Sequence, residues 1–182
     1  MAVSLRRMAA AGRDRAELVA FMTRHPFPFH VRSRWTREQI DSAIDDGTFG
    51  DDDNDSYWID VPALGRIGLI RFEDLSDGTP LFDLRLATEH RGRGHAAEIL
   101  RAASRHVFTT MPAVNRFEGQ TREDNVAMRR AFLRCGWVKE AHYREGWPVD
   151  GGPALASVGY AILRRDWVSG GTTPVPGEDI VL

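Results

Sequence analysis

The chain is poor in cysteine, long apolar runs and net charge, and each shortage excludes a class of protein. One cysteine in 182 residues, Cys135, rules out an internal disulfide framework and a cysteine-rich zinc site, and points to a reducing, cytoplasmic setting. No apolar run approaches the ~20 residues needed to cross a bilayer, so no membrane role is expected. Met1 to Ala11 also lacks the apolar core of roughly 7–15 residues that a secretion signal carries. With 24 basic against 26 acidic side chains the formal charge is −2, which excludes a globally basic nucleic-acid binder.

The composition, 42% hydrophobic and 27% charged, is that of one ordinary globular domain, long enough to bury about 70% of its unfolded surface. Residues 1–168 are expected to form that domain. Residues 169–182 are expected to be a loosely ordered tail rich in Gly, Thr and Pro, its Ile180-Val181-Leu182 end suited to docking on a groove or partner. There is no internal repeat. The charge is unevenly spread: Asp41, Asp45, Asp46, Asp51, Asp52, Asp53 and Asp55 fall in a segment without Lys or Arg, a local −7 that the rest of the chain offsets with +5.

Hydrophobic periodicity predicts a strand over Val3–Met8 and a helix opening at Asp14, with Glu17 in capping-box spacing. A second helix opens at Thr36, with Gln39 in the same relation, and stops at Gly47. Strands follow at Ser56–Val61, Arg66–Phe72 and Leu81–Ala87, joined by turns short enough for hairpins. The period then changes. A helix over Arg93–Thr109, a strand over Val114–Thr121 and a helix opened by Asp124 or Asn125 and ended by Gly136 lead to closing strands at Val138–Arg144 and Val158–Arg164. A meander followed by a strand-helix-strand crossover predicts an α/β fold: a mixed, mostly antiparallel central sheet with helices on both faces.

The densest chemistry lies in Leu84-Arg-Leu-Ala-Thr-Glu-His-Arg-Gly-Arg-Gly-His-Ala-Ala97, a strand end, a glycine turn and a helix start. Gly92 and Gly94 let successive N–H groups point outward, the helix N-terminus adds about half a positive charge, and Arg91 and Arg93 complete a phosphate cradle. The same residues formally match a dinucleotide fingerprint, Gly92-x-Gly94-x-x-Ala97, with Glu118 about 20 residues on. The context argues against it. A dinucleotide fold places this turn after its first parallel strand, whereas here three or four strands come before it and about 85 residues follow Ala97.

Arg91-x-x-Gly94-x-Ala96 resembles the acetyl-CoA pyrophosphate loop of the GNAT superfamily of N-acetyltransferases. Two further segments agree in order and spacing. Thr121-x-x-x-Asn125-x-Ala127 followed by Phe132 and Gly136-Trp137 is similar to the family's Asn-to-Gly-Phe segment. Gly159-Tyr-Ala-Ile-Leu-Arg-Arg-Asp-Trp167 resembles the final strand of the branch that contains the ribosomal-protein N-terminal acetyltransferases. The resemblance covers Ser56 to Trp167 well, and the first 46 residues by element order. It implies direct acetyl transfer from acetyl-CoA to an amine, with no metal. It further implies that the backbone of Gly92, Arg93, Gly94, His95 and Ala96, with Arg91, holds the pyrophosphate. Leu86 and Thr88 would pair with pantetheine at a splayed strand end, Asn125 would bond pantetheine or a bridging water, and Arg130 or Arg129 would meet the adenosine phosphates.

An ammonium with a pKa near 10 must lose a proton before it attacks, at a cost of roughly 4 kcal/mol at pH 7. Asp83 and Glu118 on central strands are near-equal candidates for the base, with Glu73 and Asp74 behind them, although Asp83 shares a strand face with Arg85 and so also suits an ion pair. Where many relatives keep a Tyr seven residues after the Asn this chain has Phe132, and where the N-terminal branch often has Ser it has Met128. Either Tyr143 or Tyr160 then reaches the sulfur, or the thiolate takes its proton from water or from the substrate. The resemblance places acceptor recognition in the first 60 residues and near the closing hairpin. There His25, Phe27, Phe29, His30, Trp35, Tyr57, Trp58, Tyr143 and Trp147 form an aromatic set, and Asp53 stands for the acidic stretch as a funnel for a cationic acceptor. Asp51-x-Asp53-x-Asp55 is not a calcium loop, because Ser56 and Pro62 stand where Gly and the bidentate Glu belong. An aminoglycoside-type antibiotic, a protein N-terminus and a non-catalytic acetyl-CoA-binding module are the readings this leaves open. The oligomeric state is open too, a homodimer included.

Overall fold

The structure, a computed structural model, describes residues 2–149 and 151–177, so the Ile180-Val181-Leu182 end lies outside the described residues. In chain order it comprises β1 (Ser4–Arg7), α1 (Arg15–Arg24), α2 (Arg37–Asp45), β2 (Asp55–Val61), β3 (Gly65–Glu73) and β4 (Leu81–Leu86). A short 3₁₀ turn (Thr88–His90) leads to α3 (His95–Thr110), β5 (Arg116–Arg122), α4 (Val126–Arg134), β6 (Val138–Trp147), β7 (Leu155–Leu163) and α5 (Arg164–Ser169). This is the expected order with one addition. Arg164, expected at the end of a strand, opens α5, because its guanidinium is drawn to the carbonyls of Phe108, Met111 and Val114 at 2.7–2.8 Å, where it closes the C-terminal end of α3. No helix among the described residues is long and apolar enough to cross a membrane.

The strands form two antiparallel sheets, β1-β2-β3-β4 and β5-β7-β6. Helices cover both faces of the first. Leu18, Val19, Met22, Ile40 and Ile44 of α1 and α2 pack with Trp58 and Leu69 on one side. Ile99, Leu100, Ala103 and Val107 of α3, with Ala131 and Phe132 of α4, pack with Tyr57, Ile59, Ile70 and Phe72 on the other. Because both faces are buried, alternating residues of β2 and β3 are apolar whichever way they point. This is why Tyr57 and Trp58, expected at the acceptor site, are core residues instead.

The β4-α3-β5 crossover places β5 beside β4, but among the described residues one backbone bond joins them, from Glu118 N–H to Pro80 C=O at 2.9 Å. The approach is close there: a Cβ on Gly119 would lie 2.6 Å from Phe82 and 2.7 Å from Phe132. Beyond it the ladder stops. Ala87 N–H bonds to Ile67 C=O, so by antiparallel alternation residues 83 and 85 turn their backbone groups to β3, while 84 and 86 turn theirs to the opening.

Helix starts obey the sequence in one case and not in the other. Thr36 and Gln39 make the expected capping box, Thr36 Oγ1 accepting from Gln39 N–H at 3.3 Å and Gln39 Oε1 from Thr36 N–H at 3.0 Å. Asp14 makes none, because its buried carboxylate accepts from Ala9 N–H at 2.8 Å, Arg6 at 3.0 Å and Trp58 Nε1–H at 3.3 Å, while Glu17 pairs with Arg66. The hydrogen bond from Arg6 is the largest cause that lowers the Asp14 pKa to about 2.

Two predictions follow from these contacts. Asp14→Ala strands three donors and should cost about 2–3 kcal/mol at pH 7 by urea unfolding. A depressed carboxylate contributes fully above its unfolded pKa of about 3.9, so the native protein should lose this share as pH falls from about 4 toward 2, and the variant should lack that limb. Gly119→Ala should destabilise by roughly 1–3 kcal/mol in the same assay, since neither ring has room to yield freely.

Candidate active site

Past the single β4–β5 bond the sheets open into a cleft of ≈ 580 Å³. Its walls come from five directions. The segment between α1 and α2 supplies Phe29, His30 and Trp35, and β3 ends in Glu73 and Asp74. Further walls are Asp83 and Arg85 on β4, Gln120 and Thr121 on β5 with Asn125 and Met128 at the start of α4, and Trp147 at the end of β6. Of the sequence candidates, Asp83, Asn125, Phe29, His30, Trp35 and Trp147 therefore converge.

The glycine turn follows β4 and lies outside the residues that line the cleft. Gly92 and Gly94 have φ of 70° and 81°, and a Cβ on either would meet no atom within 4 Å, so both leave an open face. Gly94 is the N-cap of α3 and offers no side-chain cap, so the first N–H groups of the helix, from His95 and Ala96 on, are not closed by one. Arg91 Nε donates to the Leu86 carbonyl at 2.8 Å, so Leu86 meets the turn through that oxygen, and Arg93 is exposed beside it. Three side-chain nitrogens here, Arg91 Nη2, His90 Nδ1 and His95 Nε2, are buried without a hydrogen-bond partner among the protein atoms. Uncapped amides and unspent donors on one turn suit an anion.

Below the turn, Thr88 N–H donates to His25 Nδ1 at 3.3 Å. His25, expected among the acceptor aromatics, thus supports the glycine turn, and burial is the first cause that lowers its pKa. Phe27 lies between the turn and the cleft, with the Arg91 guanidinium 5.2 Å and that of Arg85 4.8 Å from its ring centroid.

The acceptor end centres on Asp83. Its Oδ2 accepts from Arg85 at 2.8 and 3.0 Å, with Arg71 at 3.7 Å, and its Oδ1 lies 2.9 Å from His30 Nε2. Burial pushes the carboxyl up, but the charges of Arg85 and Arg71 together with the hydrogen bond from His30 outweigh burial and hold it well below the usual carboxylate range. Asp83 is therefore a fixed anion and a poor proton acceptor. Four more buried polar atoms without a partner belong to residues of this cleft: His30 Nδ1, Trp35 Nε1, Arg85 Nη1 and Trp147 Nε1.

Several expected site residues lie elsewhere, each for a local reason. Glu118 is bound to Arg116 at 2.6 Å, which also holds Glu140, and does not line the cleft. Tyr143 is half exposed on β6, and the Tyr160 ring is stacked on Phe132 at 4.6 Å in the core, so neither phenol lines the cleft. Asn125 does line it, but its side chain is engaged as the cap of α4, accepting from Met128 N–H and donating to Thr121. Arg130 is exposed, whereas Arg129 is turned inward to the Glu123 carbonyl at 2.8 Å. Tyr57 donates to Asp55, and Trp58 donates to Asp14.

None of the seven aspartates of the acidic stretch lines this cleft. Asp41 and Asp45 pair with Arg15 at 2.9 and 2.6 Å, Asp51 caps its own turn, and Asp55 binds Arg7. Asp53 accepts from Ser76 N–H at 2.9 Å and so fixes the turn after Asp74 rather than touching the cleft. Sequence reading paired Arg85 with Asp83 but did not see Arg32 or Gln120 in the cleft walls, since single polar residues on loops and strand ends carry no periodic signal.

Comparison with known structures gives the same architecture. The spermidine N-acetyltransferase from Vibrio cholerae, solved with CoA and spermine, superposes with a TM-score of 0.77 at 16% identity over 91% of this chain and 98% of that one. A chimera of SpeG from Vibrio cholerae with hSSAT gives 0.75 at 17% identity, over 91% and 98%. No curated protein sequence matches significantly. The model of the acetyltransferase (GNAT) domain matches residues 3–138. That span exceeds half of the chain and includes both β4 and the glycine turn, and the chain accordingly belongs to the GNAT acetyltransferases.

Proposed function

We propose that the chain moves acetyl from acetyl-CoA to a primary amine of a small cationic acceptor held in the cleft. The observation that carries the cofactor half is the uncapped, glycine-opened N-terminus of α3 with the unspent Arg91 Nη2 beside it. Those groups suit a pyrophosphate, and the thioester supplies the activated acetyl group. The backbone groups of Leu84 and the N–H of Leu86, turned to the opening where β4 lacks a strand partner, suit the amides of a pantetheine arm. The span Thr88 to Trp147 carries 11 basic and 7 acidic residues, a balance of +4 that favours an anionic ligand there.

The acceptor half rests on the cleft's carboxylates and rings. Glu73 is paired with Arg71, and Asp83 with Arg85, which leaves Asp74 as the cleft carboxylate with no ion-pair partner among the described residues. One free carboxylate among Phe29, Trp35 and Trp147 suits a slim cation that carries more than one amine. Structures of the same fold take spermine or spermidine, which supports a polyamine, and an aminoglycoside belongs to the same chemical class.

The test is thiol release from acetyl-CoA with spermidine, a kanamycin-type aminoglycoside and a short peptide with a free N-terminus. At least tenfold faster turnover of a polycation than of the peptide is expected, and faster turnover of the peptide would reverse the acceptor assignment. Gly94→Trp, which puts a bulky side chain at a left-handed position in the cradle, should weaken acetyl-CoA binding at least tenfold by calorimetry with the far-UV spectrum unchanged. Unaltered affinity would remove the cradle from this site.

A further inference from the structure

Before the acceptor nitrogen attacks, its proton must pass to a base, and the cleft contains a better one than its carboxylates. His30 is on the cleft wall with Nε2 2.9 Å from Asp83 Oδ1. An ionised carboxylate only accepts, so Nε2 carries the hydrogen, and in the neutral form of such a ring the free electron pair lies on Nδ1. That Nδ1 is buried and has no partner among the protein atoms. The ring is also held in place. It meets Phe27 edge-on at 5.7 Å, His30 N–H bonds to Phe27 C=O at 3.0 Å, and Phe27 N–H closes the loop on Ser33 C=O at 2.6 Å. Asp83, for its part, is fixed by Arg85 and Arg71. The result is an imidazole of defined tautomer and orientation with one unspent basic atom.

We propose that His30 Nδ1 takes the proton from the acceptor ammonium and that Asp83 is the positioning residue that fixes the ring and faces the imidazolium as it forms. This rests on the acetyl-transfer reading of the cleft. The step balances. Nδ1 removes one proton from R–NH3+, the freed electron pair forms the C–N bond at the thioester carbonyl carbon, and the C–S bond breaks with its pair on sulfur. One of the two hydrogens left on nitrogen passes to sulfur, giving the thiol and the amide, and His30 returns its proton to water. No phenol is needed for this, in keeping with Phe132 and the placement of Tyr143 and Tyr160 outside the cleft. The charged groups around the ring are Asp83 and Arg85 of β4, Arg71 and Glu73 of β3, Asp74 of the following turn, Arg32 of its own loop, and Arg122 of β5, which holds the Pro28 carbonyl at 3.1 Å.

The experiment compares the native protein with His30→Ala, His30→Gln and Asp83→Asn, using whichever of spermidine, the aminoglycoside or the peptide the native protein acetylates fastest. Both His30 variants should lose about 10²–10⁴-fold in kcat with acetyl-CoA affinity within about twofold of native. The acid limb of the native kcat profile should vanish in them, and free imidazole should restore part of the rate to His30→Ala. Nitrogen-15 NMR should find the hydrogen on Nε2 of His30 in the native protein and a mixture of tautomers in Asp83→Asn. A His30→Ala protein with native kcat and pH profile, or a native ring with its hydrogen on Nδ1, would overturn the assignment even if acetyl transfer stands. A native protein that releases no thiol with any of the three amines overturns the acetyl-transfer reading and this one together, a result distinct from a loss confined to the variants.

Discussion

One backbone hydrogen bond, Glu118 N–H to Pro80 C=O, joins two sheets that otherwise part. Everything at the site depends on that partial contact. Gly119 lets Phe82 and Phe132 pass closely enough to hold the bond, and the aromatic cluster of Phe82, Phe117, Phe132 and Trp137 packs the junction from one side. Continued pairing would have satisfied the facing backbone groups of β4 and closed the cleft. Its interruption leaves polar backbone on an open edge, a cost in stability that the amides of the proposed pantetheine arm would offset.

A buried anion organises the acceptor end. Taking Asp83 out of water is tolerable because Arg85, Arg71 and His30 surround it, and their commitment fixes the segment between α1 and α2 over the sheet. That segment meets the glycine turn through His25 and the cleft through His30, with Phe27 packed between two guanidinium groups. The turn and the cleft wall are thus tied together by one short stretch of chain.

Much of the fold could be read from periodicity and punctuation. The glycine turn, the Thr36 capping box and the order of elements are local features, and local rules recovered them. Contacts distant in sequence escaped. His30 and Asp83 are separated by 53 positions, and nothing near either residue announces the other. The aspartates misled for the opposite reason. As a run of like charge they look like a field aimed outward, yet Asp41 and Asp45 share Arg15, Asp55 holds Arg7, and Asp51 and Asp53 accept from backbone N–H groups, so several of these carboxylates serve local structure while two arginines offset part of the −7. Tyr57 and Trp58 misled because a strand buried on both faces carries apolar residues on both of them.

The end of β6 has a consequence for how such a site diverges. Between Tyr143 and Trp147 this strand runs two residues longer than the stretch of β7 it faces, an irregularity that includes Glu145 at φ 54° and Gly146 against Tyr143. An edge strand exposed over most of its length thereby delivers an indole to the cleft. This wall of the cleft is built from a sheet edge and a loop, where sequence drifts at little cost to folding, while the glycine turn sits at the start of a helix whose inner face is core. Under the proposed function, acceptor preference and cofactor use would therefore be carried by separately mutable parts of one molecule, and a new amine could be accommodated without rebuilding the machinery that brings the acetyl group.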